Sequence, residues 1–157
     1  MPCVRPTAKL SVTERNCVAF SLLLVTLTMK PTIRDAMTRS VHTIGASMTL
    51  ADAQRIMHKH HIRHLPVLEG AGLVGLLSDR DVQLISSVSE TDPRCILVED
   101  AMTQAPWTVS PDTPLLEVAT HMAEAKLGSA VVVENDHVVG VFTTTDGMRV
   151  LAELLGK

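Results

Sequence analysis

An α/β fold built from two copies of one small supersecondary unit is predicted by three observations. Residues 35 to 81 recur at 100 to 146 without insertion or deletion. Asp35-Ala36-Met37-Thr38 matches Asp100-Ala101-Met102-Thr103, and Thr43, Leu50, Met57, Val67, Gly75 and Asp81 match Thr108, Leu115, Met122, Val132, Gly140 and Asp146. The offset is constant, since 100 − 35 and 146 − 81 both give 65. Apolar positions, turns and a final acidic residue recurring in one order mark duplicated structure, and halves too small to close a core alone must pack on one another. Second, the apolar spacing within each copy changes from extended to helical, then to two strands, then back to helical. Third, 46% of residues are hydrophobic but only 2% are aromatic, so the core must be made from Val, Leu, Ile, Met and Ala. The 157 residues suffice for one domain burying about two thirds of its unfolded surface.

The elements follow in order. After the Asp-Ala-Met-Thr turn, Val41 to Ile44 reads as extended. Thr49 caps a helix whose Leu50, Ala53, Ile56 and Met57 recur at helical spacing. Leu65 to Leu68 is an apolar strand, Glu69-Gly70-Ala71-Gly72 a hairpin turn and Leu73 to Leu77 the second strand. A helix from about Val82 follows, and Ser86 to Pro93 is polar and reads as a linker. In the second copy Asp112 or Thr113 caps a helix with Pro114 near its first turn, where a missing amide donor costs little. Leu115, Val118, Ala119 and Met122 line its inner face. Ala130 to Val133 and Val138 to Phe142 are strands joined at Glu134-Asn135-Asp136-His137, and residues 147 to 155 form a closing helix with a stripe of Val150, Leu151, Leu154 and Leu155. The expected organisation is an N-terminal extension at 1–30, a first unit at 31–85, a linker at 86–97 and a second unit at 98–157.

Composition excludes several function classes. A formal charge of −3, from 14 basic and 17 acidic residues, offers no basic excess for a polyanion, and one Trp, two Phe and no Tyr leave few rings for stacking bases. Nucleic acid is therefore not the expected partner. Cys3, Cys17 and Cys95 form no CxxC and are odd in number, which places the chain in a reducing, cytoplasmic compartment. The apolar run Val18 to Met29 is shorter than the roughly 20 residues a spanning helix needs and is diluted by Ser21, Thr26 and Thr28, so no membrane partner is expected. Arg5, Lys9 and Arg15 precede this run as in a secretion signal, but no small-x-small cleavage pattern follows. Two readings of residues 1–30 stay open: a disordered extension upstream of Met29, or a packed segment in which Leu23, Val25, Leu27 and Met29 alternate as an added strand would.

Catalytic signals are absent from the sequence: no nucleophile elbow, no P-loop and no paired metal motif. Cys17 and Cys95 have no identifiable base and read as inert small hydrophobes, while Met57 and Met122 read as core. The run His58-Lys59-His60-His61-Ile62-Arg63-His64 carries four imidazoles, but His60 and His64 straddle the predicted helix end and no Cys or carboxylate cluster stands near them. The second copy replaces these histidines with Ala123, Ala125, Lys126 and Ser129. A solvated helix end, cationic beside the negative pole, accounts for them, and no metal is expected. Titration near neutrality would make ligand binding at these histidines pH-dependent.

His64-Leu65-Pro66-Val67 with a hairpin into Val74-Gly75-Leu76-Leu77-Ser78-Asp79-Arg80-Asp81 resembles a CBS motif, named after cystathionine β-synthase, and the second copy resembles its partner. From about residue 31 to 155 the chain is similar to a tandem CBS pair, or Bateman module. The resemblance implies two motifs packed sheet to sheet with pseudo-two-fold symmetry. It also implies an adenosyl nucleotide such as AMP, ADP or ATP as ligand, and a regulatory homodimer with a regulated protein as further partner. The signature Gly-h-x-Ser/Thr-x-x-Asp stands at Gly75-Leu76-Leu77-Ser78-Asp79-Arg80-Asp81 and at Gly140-Val141-Phe142-Thr143-Thr144-Thr145-Asp146.

By this resemblance Asp81 and Asp146 hold ribose, Ser78 and Thr143 face phosphate, and each cleft borrows its adenine pocket from the other motif. A carboxylate accepts the two ribose hydroxyls, and a hydroxyl beside helix-opening amides suits a phosphate. One site would join Thr143 and Asp146 to Thr43, Ile62, Arg63 and His64; the other would join Ser78 and Asp81 to Thr108, Leu127, Gly128, Ser129 and Ala130. The bland account of both aspartates is a helix cap. Three rival functions stay open beside the sensor: a scaffold for dimerisation or docking that binds no ligand, a histidine-dependent metal sensor, and a nucleotide-cleaving enzyme, the sequence itself favouring no enzyme.

Overall fold

The computed structural model describes residues 30–88 and 92–156. The expected strand at Leu23–Met29 and residues 89–91 of the expected linker lie outside the described residues. The first copy runs α1 (Ile33–Ala36), β1 (Ile44–Gly45), α2 (Leu50–His60), β2 (His64–Glu69), β3 (Gly72–Ser78) and α3 (Asp79–Val88). The second runs α4 (Val98–Ala101), β4 (Thr103–Gln104), β5 (Thr108–Val109), α5 (Leu115–Glu124), β6 (Ser129–Glu134), β7 (His137–Thr143) and α6 (Thr144–Leu155).

Local chemistry sets these boundaries. α2 starts at a capping box in which the Asp52 amide donates to the Thr49 hydroxyl while the Asp52 carboxylate accepts from Thr49. It ends where His61 turns left-handed at φ 54°, and Lys126 at φ 56° repeats that turn after α5. In the second copy neither Asp112 nor Thr113 caps the helix. Pro114 occupies the cap position with no side-chain acceptor, and the Leu115 amide instead donates to the Pro31 carbonyl at 2.9 Å. Helices α3 and α6 begin three residues earlier than the apolar spacing suggests, because Ser78 with Asp81 and Thr143 with Asp146 form boxes at the strand ends. The hairpins close through two-residue turns, with Gly70 at φ 61° in one and Asn135 and Asp136 at φ 51° and 62° in the other.

The strands form two mixed sheets, ordered β1-β2-β3-β4 and β5-β6-β7. In each sheet the short entering strand pairs parallel to the first hairpin strand, the hairpin is antiparallel, and the register slips at the same place, between Val67 and Leu68 and between Val132 and Val133. The edge strand β4 comes from the second copy yet pairs with β3 of the first, Leu76 opposite Thr103. Its counterpart is the bridge between Thr38 and Val141 on β7.

This exchange extends to the cores. Ile33 and Ala36 of α1 are buried with Val109, Leu115, Val118, Met122, Ala130, Val132 and Phe142 of the second copy. Val98 of α4 is buried with Ile44, Leu50, Met57, Leu65, Val67, Leu77 and Val82 of the first. The unit that repeats in sequence is thus not the unit that packs. The amides of Ile33 and Arg34 donate to Thr113 and Pro111, and those of Val98 and Glu99 donate to Met48 and Ala46, so each crossing segment is tied at its start to the other copy.

The exchange also accounts for Met and Gly recurring together. Met102 lies on Gly75, where an added Cβ would stand 2.2 Å from its sulfur, and Met37 lies on Gly140, where the same atom would stand 2.5 Å away. Both glycines serve close approach of a neighbouring side chain. Gly75→Ala is expected to destabilise the fold by about 1–3 kcal/mol through overpacking. The double variant Gly75→Ala/Met102→Ala should lose less than the two single losses combined. Urea titrations of the four proteins check this, and strict additivity would contradict the contact.

Candidate functional site

The signature at each strand end folds into the same knot. The Ser78 amide and hydroxyl donate to Asp81 Oδ2 at 3.1 and 2.6 Å, and the Asp81 amide donates to Ser78 Oγ at 3.2 Å. Thr143 and Asp146 repeat this at 2.9, 2.7 and 3.3 Å. Each aspartate is therefore the third residue of its helix, bonded back to a hydroxyl residue that precedes the helix. The helices are held onto the strands as well: the Asp79 amide donates to the Arg63 carbonyl and the Thr144 amide to the Gly128 carbonyl.

Two clefts open beside these knots, and each is lined by both copies. The Asp146 cleft, about 250 Å³, has Thr38, Ser40, Val41 and His42 on one wall, Ile62, Arg63 and His64 on another, and Thr143, Thr145, Asp146 and Arg149 at its base. The Asp81 cleft, about 610 Å³, has Thr103, Pro106 and Trp107 on one wall, Lys126, Leu127, Gly128 and Ser129 on another, and Ser78, Asp79, Arg80 and Asp81 at its base. Thr38 and Thr103, His42 and Trp107, Ile62 and Leu127, and His64 and Ser129 are pairs at the repeat offset.

Of the residues singled out in sequence, Ile62, Arg63, His64, Thr143 and Asp146 come together in one cleft and Ser78, Asp81, Leu127, Gly128 and Ser129 in the other. Thr43, Thr108 and Ala130 line neither. Thr43 faces a separate depression beside Ile44 to Met48, Thr108 opens β5 on an exposed face, and Ala130 is fully buried in the second core. The displacement is one residue in each case. Side chains alternate across an extended chain, so His42 and Trp107 face the clefts where Thr43 and Thr108 face away, and Ser129 does so where Ala130 turns inward. That Trp107 and His42 share the repeat offset was the signal available for finding them.

Arg63 and His64 line both clefts. An Arg63 guanidinium N–H donates to Thr145 Oγ1 at 3.2 Å, which ties the start of β2 to the start of α6. Burial lowers the His64 pKa below its ordinary value; Arg63 adds to this, and Asp81 and Asp79 oppose it. His42 stacks on His60 with ring centroids 3.7 Å apart, and the His60 pKa is lowered by desolvation, then by His42, Lys59 and His61. Trp107 tilts over His121 at 4.3 Å. Cys95 is exposed rather than packed as a small hydrophobe, and Met57 and Met122 are in the cores. Among the described residues no group of three or more His, Cys, Asp or Glu is placed to hold a metal ion, and no helix is long and apolar enough to cross a membrane. The clefts thus combine carboxylates, guanidinium and imidazole groups with apolar walls, a chemistry of binding.

Comparison with known proteins agrees with this architecture. The CBS domain family model matches residues 33–86 and again 98–153. The chain belongs to the CBS domain family, as a tandem pair. It is 31% identical over 138 residues to an inosine-5'-monophosphate dehydrogenase of Korarchaeum cryptofilum, a match covering 87% of this chain and 28% of that enzyme. Among solved structures, the CBS domain pair of protein MJ0100 in complex with 5'-methylthioadenosine and S-adenosyl-L-methionine superposes with a TM-score of 0.70 at 26% identity, covering 77% of this chain and 99% of that one. CBSX2, a CBS-pair protein of Arabidopsis thaliana, in complex with AMP gives 0.70 at 25% identity over 78% and 97%. The chain spans about a quarter of the length of several curated enzymes that it matches.

The depressed His64 pKa has a stability consequence with a definite sign. The folded state disfavours the imidazolium, so the unfolded chain binds the proton more readily, and stability falls as pH drops from about 6.5 through the lower folded value. Above about 6.5 the contribution is fully present. His64→Gln is expected to flatten this part of the pH–stability curve, as followed by urea midpoints between about pH 5 and 8. An unchanged slope in the variant would contradict the assignment.

Proposed function

We propose that this chain is a regulatory binding module that senses an adenosyl nucleotide of the AMP, ADP or ATP type in the clefts between its two motifs, and that it is not an enzyme. The observation that carries the reading is the pair of clefts, each setting a carboxylate and a strand-end hydroxyl of one motif against β-strand backbone and apolar walls of the other. Asp81 and Asp146 are suited to the ribose hydroxyls, Arg63 and His64 to phosphate, and Ile62 and Leu127 to the flat base. The MJ0100 and CBSX2 pairs, in complex with 5'-methylthioadenosine, S-adenosyl-L-methionine and AMP, support the same class of ligand here. The cysteine pattern supports a cytoplasmic setting.

An exposed apolar surface favours a second property. Leu84 on α3 and Met148, Leu151 and Leu155 on α6 are solvent-facing, Met148, Leu151 and Leu155 at the i, i+3, i+7 spacing of one helix face. Such faces mark association sites, and we assign them to a homodimer. Light scattering is expected to give a dimer mass for the native protein and a monomer mass for Leu151→Asp/Leu155→Asp.

Thermal unfolding against AMP, ADP, ATP, GMP and S-adenosylmethionine tests the ligand. A nucleotide at a hundred times its dissociation constant adds about 2.7 kcal/mol to native stability, which raises the melting temperature visibly. The shift should vanish in Asp81→Ala/Asp146→Ala. No shift from any member of the panel would leave a dimerisation or docking scaffold as the better account.

A further inference from the structure

Resting on that reading, we propose that the two clefts are unequal: the Asp81 cleft takes up the nucleotide, whereas the Asp146 cleft is latched by Arg149. Asp146 is only 4% exposed, and both its oxygens are engaged. Oδ2 accepts from Thr143, while Oδ1 accepts from the Thr38 hydroxyl at 3.1 Å and from the Arg149 guanidinium at 2.8 Å. Arg149 also donates to the Ala36 carbonyl at 3.0 Å, which anchors the latch to α1.

Asp81 makes the same bonds to Ser78 through Oδ2, but its Oδ1 accepts no hydrogen bond from the described residues, and the side chain is half-buried rather than sealed. A sequence difference between the copies accounts for one of the two missing bonds: at the repeat offset Leu84 stands where Arg149 stands, and an apolar side chain cannot donate; Thr103, at the position of Thr38, makes no bond to Asp81. A ribose entering the Asp81 cleft finds an acceptor ready. At Asp146 the same ribose must first displace a charge-assisted bond, about twice as strong as a neutral one, and open a nearly buried group. Size points the same way. The Asp81 cleft, about 610 Å³, falls within the roughly 300–1,000 Å³ of small-molecule sites, and the Asp146 cleft, about 250 Å³, falls below it.

The chain's one tryptophan, Trp107, lines the Asp81 cleft and not the other, so its fluorescence reports which cleft fills. Calorimetric titration with AMP, followed in parallel by Trp107 emission, is the test. Wild type should bind one equivalent per chain with an emission change that tracks occupancy. Leu84→Arg, at a position 61% exposed on the face assigned above to the homodimer, installs the latch beside Asp81 and should weaken this binding by about tenfold or more, equivalent to about 1.4 kcal/mol, whereas Leu84→Ala, which alters the same face but supplies no cation, should not. Arg149→Leu should add a second equivalent. Two equal sites in wild type would overturn the inference while keeping the proposed function. So would an unaffected Leu84→Arg protein, or a single site silent in Trp107 and weakened by Arg149→Leu. Failure of AMP, ADP and ATP alike to bind folded wild type and Arg149→Leu would remove the nucleotide reading itself.

Discussion

Everything in this molecule depends on the reciprocal exchange of one short segment. The Asp-Ala-Met-Thr turn of each copy leaves its own neighbours, enters the core of the other and lays its methionine on the other's strand glycine. Without Ile33 and Ala36 the second core lacks a wall, and without Val98 the first does. Neither copy can therefore close by itself, and the two fold as one cooperative body. The same crossing brings Thr38 over β7 and Thr103 over β3, which builds one side of each cleft from the opposite copy. Stability and site are thus products of a single contact.

The capping boxes show how a structural device and a binding device share atoms. Asp81 and Asp146 stabilise the starts of α3 and α6 by satisfying strand-end amides and hydroxyls. These bonds use one carboxylate oxygen and leave the other for something else. In the first copy that oxygen is open to the cleft; in the second it is held by Thr38 and Arg149. A helix cap and a ribose acceptor are therefore compatible roles for one aspartate, and what separates the clefts is the residue one turn further along the helix.

Much of this was legible in the sequence. The constant offset of the repeat, the helical stripe of Leu50, Ala53 and Met57, and the paired apolar runs that hold Gly75 and Gly140 all report local pattern, and the structure follows them closely. The exchange of α1 and α4 was not legible, because periodicity says which residues are apolar and nothing about which core receives them. The failed cap at Asp112 or Thr113 has a related cause. Pro114 takes that position without a side-chain acceptor, and the carbonyl of Pro31, remote in sequence, satisfies the amide of Leu115. The signature residues at the two strand ends do line the clefts, whereas His42 and Trp107 line them where Thr43 and Thr108 do not, a shift of one position that flips a side chain to the other face of an extended segment.

Arg63 and His64 stand where the two clefts share a wall, and this makes independent clefts physically difficult. Arg63 already spans from β2 to Thr145 at the start of α6. Under the proposed function, a phosphate that drew this guanidinium into one cleft would remove a cation and a hydrogen bond from the other, and the affinities of the clefts would be coupled through a displaced charge. Such coupling is reciprocal by linkage: whatever one occupant does to the second, the second does to the first by the same factor. It also gives a ligand a means of acting at a distance, since a nucleotide with different affinity for two settings of Arg63 shifts the population between them, and α3 and α6, which begin at the two clefts, carry the exposed apolar faces that would register the shift.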